Sequence, residues 1–243
     1  MVDAFEKENP NIHVKVEYTP WEQYWTKLQA SGTSDSLPDV FWMHPEQVYT
    51  YAEGGKLLDM SSKIEESSVT DLSKFPQNIN DDFNVDGRQY AIPKDYSTFG
   101  LWYNKDLFDA RGMAYPDDTW DWNKLKEAAA QLTDKENGVY GMLVQYNTND
   151  AAYHYIWQNE GDIINEEETK SLYDDKNTIE AIEYMVDFIE KGYSPTMTDY
   201  ANTTADQYFE SGKAAMHIGG SWMASEYLGI DGLNCDVAPL AKG

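Results

Sequence analysis

The 243 residues carry a formal charge of −25, from 43 acidic against 18 basic residues. This argues against nucleic acid and anionic membrane surfaces as partners, since both repel a polyanion. A single cysteine, Cys235, leaves no internal disulfide framework and no cysteine-held zinc, and no apolar run reaches the length of a membrane span.

In chain order, 1–7 read as the last turns of a helix, a start expected of a trimmed chain that shows no secretory signal. Ile12, Val14 and Val16 alternate with polar residues, which predicts a half-buried strand. After Thr19-Pro20, residues 21–30 have helical spacing through Trp21, Tyr24, Trp25 and Leu28. A polar loop at 31–36 leads to a short apolar strand over 37–43, followed by His44-Pro45-Glu46. A second helix runs to about Glu53 and stops at Gly54-Gly55. Asp86-Gly87 predicts a hairpin turn between 83–85 and 89–92. The same stretch holds half of a calcium-loop pattern, but Pro93 stands where that loop needs its bidentate Glu, which favours the hairpin.

The stretch 91–104 is the pivot, because a second strand–helix series begins after it. Pro93 disfavours a central strand, 99–103 alternate as a strand does, and Asn104 stands at an N-cap position before Lys105. An ordinary edge strand entering a βα unit is the alternative. Helices are expected at 105–111, 121–132, 151–160, 178–191 and 206–211, strands at 139–143 and 214–218, an acidic hairpin at 163–172, and a last helix after Gly219-Gly-Ser-Trp-Met223. In 178–191 the stripe is read as Ile179, Ile182, Val186 and Ile189. Such alternation predicts an α/β fold with a mostly parallel sheet.

Catalytic and metal motifs are missing. The four histidines, His13, His44, His154 and His217, have no metal-ligand spacing. Gly219-Gly-Ser221 is no nucleophile elbow, because Met223 replaces its glycine, and no phosphate-binding glycine loop occurs. Paired carboxylates remain as an enzymatic option, but 43 acids make chance pairs common. The 18 tyrosines and 8 tryptophans are many for so polar a chain. Most are expected in cores. The others offer an apolar face and a hydrogen-bonding edge, the complement of a sugar ring.

Five segments, in order, resemble the extracellular solute-binding proteins of ABC importers, the sugar-binding type related to maltose-binding protein. They are Phe5-Glu-Lys-Glu-Asn-Pro-Asn-Ile-His-Val, Leu37-Pro-Asp-Val, Asp86-Gly87 with Tyr90-Ala-Ile-Pro, Leu101-Trp-Tyr-Asn-Lys-Asp-Leu-Phe, and Phe209-Glu-Ser-Gly-Lys-Ala-Ala-Met with Gly220-Ser-Trp. The resemblance implies a two-lobed periplasmic-binding-protein-like (type II) α/β fold with carbohydrate held between the lobes. Residues 1–95 would form part of lobe one, 96–99 the hinge crossing and 100–243 lobe two. Lobe one would be incomplete, lacking its first strand and the returning strand. It further implies a monomer that binds without catalysis, needs no cofactor, and delivers its ligand to a membrane permease. Export follows, to the periplasm or to a lipid-anchored extracellular site.

Trp222 matches the family's stacking tryptophan, with a packed helix-start residue as the alternative. Ser221 and Gly220 offer a hydroxyl and backbone N–H groups at a helix N-terminus. Trp42 and His44 end a strand where open α/β sheets place ligands, although Trp42 fits a core equally. Asp95, Tyr96 and Ser97 lie at the hinge, where Asp95 is either a hydroxyl acceptor or a turn residue. Trp21 and Tyr24 open a helix, and one of them is expected to reach the cleft. Tyr146, Tyr153 and Trp157 flank the second-lobe cleft, at least one of them in the core. Two other classes stay open: a binder of a cationic ligand, polyamine or peptide, held by the acids, and a carbohydrate-active enzyme.

Overall fold

The computed structural model describes residues 1–34, 36–145 and 149–243. The chain divides into two compact units, Met1–Tyr96 and Ser97–Gly243.

Unit one is mostly helical. It contains α1 (Val2–Glu8), α2 (Trp21–Thr33), α3 (Pro45–Glu53), α4 (Ser61–Glu65) and α5 (Gln77–Asp81), then the hairpin β1 (Asn84–Val85) and β2 (Arg88–Gln89). Asp86 and Gly87 both have positive φ, 51° and 77°, as a two-residue turn of this hand requires. Its core is small: Val48, Ala52, Phe83 and Val85, with Met43, Leu57, Tyr90 and Ala91 packed on it. The strands expected at 12–16 and 37–43 do not form. Residues 12–20 carry no regular secondary structure and no ladder, and the Val14 N–H donates instead to Glu6 Oε1 at 2.7 Å. Alternation is a local pattern, whereas ladder hydrogen bonds need a neighbouring strand, and no other strand among the described residues of unit one pairs with these segments.

Unit two is built on β3 (Phe99–Asn104), followed by α6 (Lys105–Ala110), α7 (Trp122–Leu132), α8 (Asn149–Gln158), α9 (Lys176–Glu190), α10 (Met197–Tyr200), α11 (Ala205–Glu210), β4 (Met216–Gly220), a 3-10 turn (Ser221–Met223), α12 (Ala224–Tyr227) and β5 (Cys235–Ala238). Strand β3 lies between β4 and β5 and is antiparallel to both, with Leu101 opposite Ile218 on one side and Ala238 on the other. This corrects the expectation of a mostly parallel sheet. Among the described residues, parallel pairing is confined to isolated bridges, such as Tyr140 to Ala214 and Leu143 to His217. Alternation counts elements, whereas strand direction depends on which distant strands meet.

Successive residues of a strand face opposite sides. Leu101 and Tyr103 accordingly enter a core with Phe108, Leu125, Met142, Met185 and Phe188, while Trp102 enters a second with Phe209, Met223 and Tyr227. Polar caps start the helices as the sequence indicates: Asn104 Oδ1 accepts the Leu107 N–H at 3.2 Å, and Asp121 Oδ1 accepts the Lys124 N–H at 2.8 Å. In α9 the buried face is Thr178, Ala181, Met185 and Phe188. The stripe read from the sequence is therefore one residue out of step, and Ile179 is exposed.

Candidate functional site

Each unit carries a cluster of rings at its surface. Trp21, Trp42, Trp157 and Trp222 are 53%, 60%, 54% and 51% exposed. An indole is large and costly to leave in water, so four half-exposed tryptophans call for an account that core filling does not give.

In unit one, α2 places Tyr24 and Trp25 one turn after Trp21. Trp21 meets Trp25 edge-on at 5.2 Å and His44 at 5.5 Å, and Tyr24 meets Trp25 at 5.0 Å. His44 caps α3, its Nδ1 accepting the Glu46 N–H at 3.4 Å. The Tyr24 hydroxyl donates to the Trp42 carbonyl oxygen at 2.6 Å, which ties α2 to the loop carrying Trp42; burial pushes the Tyr24 phenol up. The Lys94 ammonium lies 3.9 Å from the centre of the Trp42 ring and pairs with the Asp95 carboxylate. The structure thus links Trp21, Tyr24, Trp42, His44 and Asp95 in one run of contacts. Trp42 is on the surface, not in a core. It stands in a loop and not at the expected strand end, because no strand forms at 37–43. Tyr96 closes unit one, exposed.

Unit two gathers rings from three elements. Phe99, the first residue of β3, meets Trp222 edge-on at 5.3 Å and 88°, and His154 of α8 at 4.4 Å. Tyr153 and Trp157, also on α8, pair at 5.4 Å; Trp157 Nε1 donates to Asp162 Oδ1 at 3.4 Å, and Tyr153 packs on the main core. Ser97 is exposed at the start of the unit. Tyr146 lies outside the described residues.

Gly220 and Ser221 stand at the start of a 3-10 turn, and the Ser221 N–H there is already used. Gly220 is the last residue of β4, opposite Phe99. The Ser221 N–H donates to the Thr98 carbonyl oxygen at 2.8 Å, and Ser221 Oγ accepts the Thr98 N–H at 3.3 Å. These bonds extend the β3–β4 pairing by one residue and take up the Ser221 backbone N–H, while the Ser221 hydroxyl, an acceptor here, keeps its own proton to donate. The chain then passes through a 3-10 turn into the four-residue α12.

The sequence pattern does not single out Phe99, His154, Trp25 or Lys94 as site residues. Phe99 reads there as one of three alternating strand residues, and Trp25 as part of a helix stripe. Nothing local places a lysine against a tryptophan 52 residues away.

Elsewhere, a concavity of about 250 Å3 in unit two is lined by Tyr140, Ser194, Thr196, Asp199 and Lys135. Four of its polar side chains are already committed. Ser194 Oγ accepts the Val144 N–H at 2.9 Å, Asp199 closes a capping box with Thr196, and Lys135 Nζ donates to the Lys191 carbonyl oxygen at 3.0 Å. Among the described residues no group of three His, Cys, Asp or Glu side chains is placed to hold a metal ion, and no helix is long and apolar enough to cross a membrane.

Residues 1–234 match the family of bacterial extracellular solute-binding proteins. The maltodextrin-binding protein of Bacillus subtilis is 28% identical over 244 residues, 97% of this chain and 55% of its own. A galactooligosaccharide-binding protein of the same organism is 26% identical, over 99% of this chain and 56% of its own. The chain therefore spans about half the length of the curated relatives it matches. Among solved structures, an ABC substrate-binding protein of Listeria monocytogenes in complex with cycloalternan superposes with a TM-score of 0.92 at 32% identity, over all of this chain and 62% of that one. The GacH receptor of Streptomyces glaucescens, solved unliganded and with acarbose, gives a TM-score of 0.82 at 25% identity, over all of this chain and 62% of its own. The expected periplasmic-binding-protein-like α/β fold is thus the fold adopted. The chain belongs to the bacterial extracellular solute-binding proteins.

Proposed function

We propose that this chain is the carbohydrate-binding part of an ABC importer's solute-binding protein, which captures a mono- or oligosaccharide outside the cell and hands it unchanged to a membrane permease. The observation that carries this reading is the pair of surface ring clusters, centred on Trp42 and Trp222. Pyranose rings present C–H faces that stack on an indole and hydroxyl edges that hydrogen-bond to groups such as Asp95. The names of the relatives, binders of maltodextrin, galactooligosaccharide and cycloalternan, support an oligosaccharide. The work asked of the site is selective binding followed by release, so the exposed acids are read as solvating groups and not as catalytic pairs. The intact protein would be periplasmic or tethered by a lipid.

One observation favours a second reading. The Trp42 ring already carries an ammonium group, that of Lys94, and a polyamine or basic peptide drawn by the charge of −25 would take the same place.

A thermal-shift panel on the intact protein separates the two, with maltodextrins, galactooligosaccharides, cycloalternan, spermidine and basic peptides. A ligand at about a hundred times its dissociation constant stabilises by roughly 2.7 kcal/mol, a shift easily seen. Stabilisation by a carbohydrate that is recovered unaltered supports the proposal. Stabilisation by the cations alone overturns it in favour of the second reading.

A further inference from the structure

We propose that Gly220 is a positioning residue whose missing side chain lets the Trp222 ring fold back onto the end of β4 and present one open face. The backbone of Gly220 does not itself need glycine: φ −81° and ψ 164° are extended values open to any residue. Nor is the position in open space. A methyl group there would overlap Cε3, Cζ3 and Cη2 of the Trp222 indole. The six-membered ring therefore occupies the volume that a side chain at 220 would fill.

The rest of the surroundings fix the ring from a second direction. Phe99 sits opposite Gly220 in the ladder and meets the Trp222 ring at 88°. Phe99 is itself backed by His154. The Thr98–Ser221 hydrogen bonds hold the backbone between Gly220 and Trp222 in register with β3. The indole is thus laid against glycine and meets the phenylalanine ring at a right angle, which fits a ring that is 51% exposed. A ligand on Trp222 would stack on a single, pre-set face, and the low entropic cost of using a fixed ring favours binding.

This inference rests on the reading of Trp222 as a carbohydrate-stacking ring, and the test separates the two. Wild type, Gly220→Ala, Trp222→Ala and the double variant of the intact protein are titrated with maltotriose, galactooligosaccharide and cycloalternan, and the Gly220→Ala protein is crystallised without ligand. The obstacle is a side chain that can swing, not backbone, so Gly220→Ala is expected to keep its urea midpoint. Its Trp222 ring should move off the end of β4. Carbohydrate affinity should fall about fivefold, the scale of a displaced aromatic contact. In the Trp222→Ala background the same change should shift affinity less than about twofold, because the two residues act as one unit. An unmoved ring in the crystal overturns the inference, and so does an equal loss of affinity in both backgrounds. Unchanged affinity in Trp222→Ala would instead remove the ligand role of the ring. The crystal structure alone then decides whether Gly220 sets its position.

Discussion

The Lys94 ammonium and the Trp42 indole form a cation–π pair at 3.9 Å, and the Asp95 carboxylate pairs with the same ammonium. A contact of this kind on an exposed ring contributes about 0.5–1 kcal/mol. Lys94→Ala in the intact protein should therefore unfold within about 1 kcal/mol of wild type, as judged by urea titration. Its effect should fall on the ring. With Trp42 no longer aligned, carbohydrate affinity is expected to drop about two- to fivefold by calorimetry. A rise in affinity would show that Lys94 blocks the ring and does not align it.

Asp206 predicts an acid-side loss of stability. Its Oδ1 accepts from His217 Nε2 at 3.3 Å and from the Tyr227 hydroxyl at 2.7 Å. The hydrogen bond from His217 lowers the carboxyl below its ordinary value, helped by Tyr227 and opposed by burial. A carboxylate depressed in the folded state contributes stability above its unfolded pKa, and that contribution is lost as pH falls through the folded value. Asp206→Asn should be less stable near neutrality, on the order of 1 kcal/mol given the half-exposed side chain. Its stability should then converge with wild type below about pH 4. Parallel urea midpoints from neutrality to acid would contradict this.

Gly141 tests the packing of unit two in the way that Gly220 tests a side chain. A Cβ at Gly141 would overlap the Ala129 carbonyl oxygen, carbon and Cα in α7. Backbone in a packed helix cannot swing aside. Gly141→Ala should cost about 3 kcal/mol or prevent folding, read as a large drop in thermal midpoint. An unchanged midpoint would mean that the 139–143 segment can move away from α7 at little cost.

The N-cap of α7 offers a smaller effect. Asp121→Ala leaves the Lys124 N–H without its side-chain acceptor and should cost about 1 kcal/mol. Asp121→Asn should recover most of it.

Local chemistry is the most legible part of the sequence. Asn104 and Asp121 announce helix starts because a cap needs only its own next three residues, and Asp86-Gly87 announces its turn for the same reason. The buried face of α9 lies one residue away from the stripe that the sequence suggests, since apolar side chains stand on both candidate stripes and the fit to neighbouring helices chooses between them. The segments at 12–16 and 37–43 look like strands because alternation is local, yet strand pairing is not. At the candidate site, Trp21, Trp42, Trp157 and Trp222 stand out as residue types. The groups around them, Lys94, Phe99 and His154, come from distant stretches and have no local signal. Gly220 reads in the sequence as a hydrogen-bond donor, although a glycine two residues before a tryptophan already suggests room for the ring.

The most direct test is a crystal structure of the intact protein with the carbohydrate that stabilises it most. A pyranose ring should lie on the open face of Trp222, its carbons within about 4.5 Å of the indole. A bound carbohydrate that does not touch Trp222, or density only for a polyamine on Trp42, would contradict it.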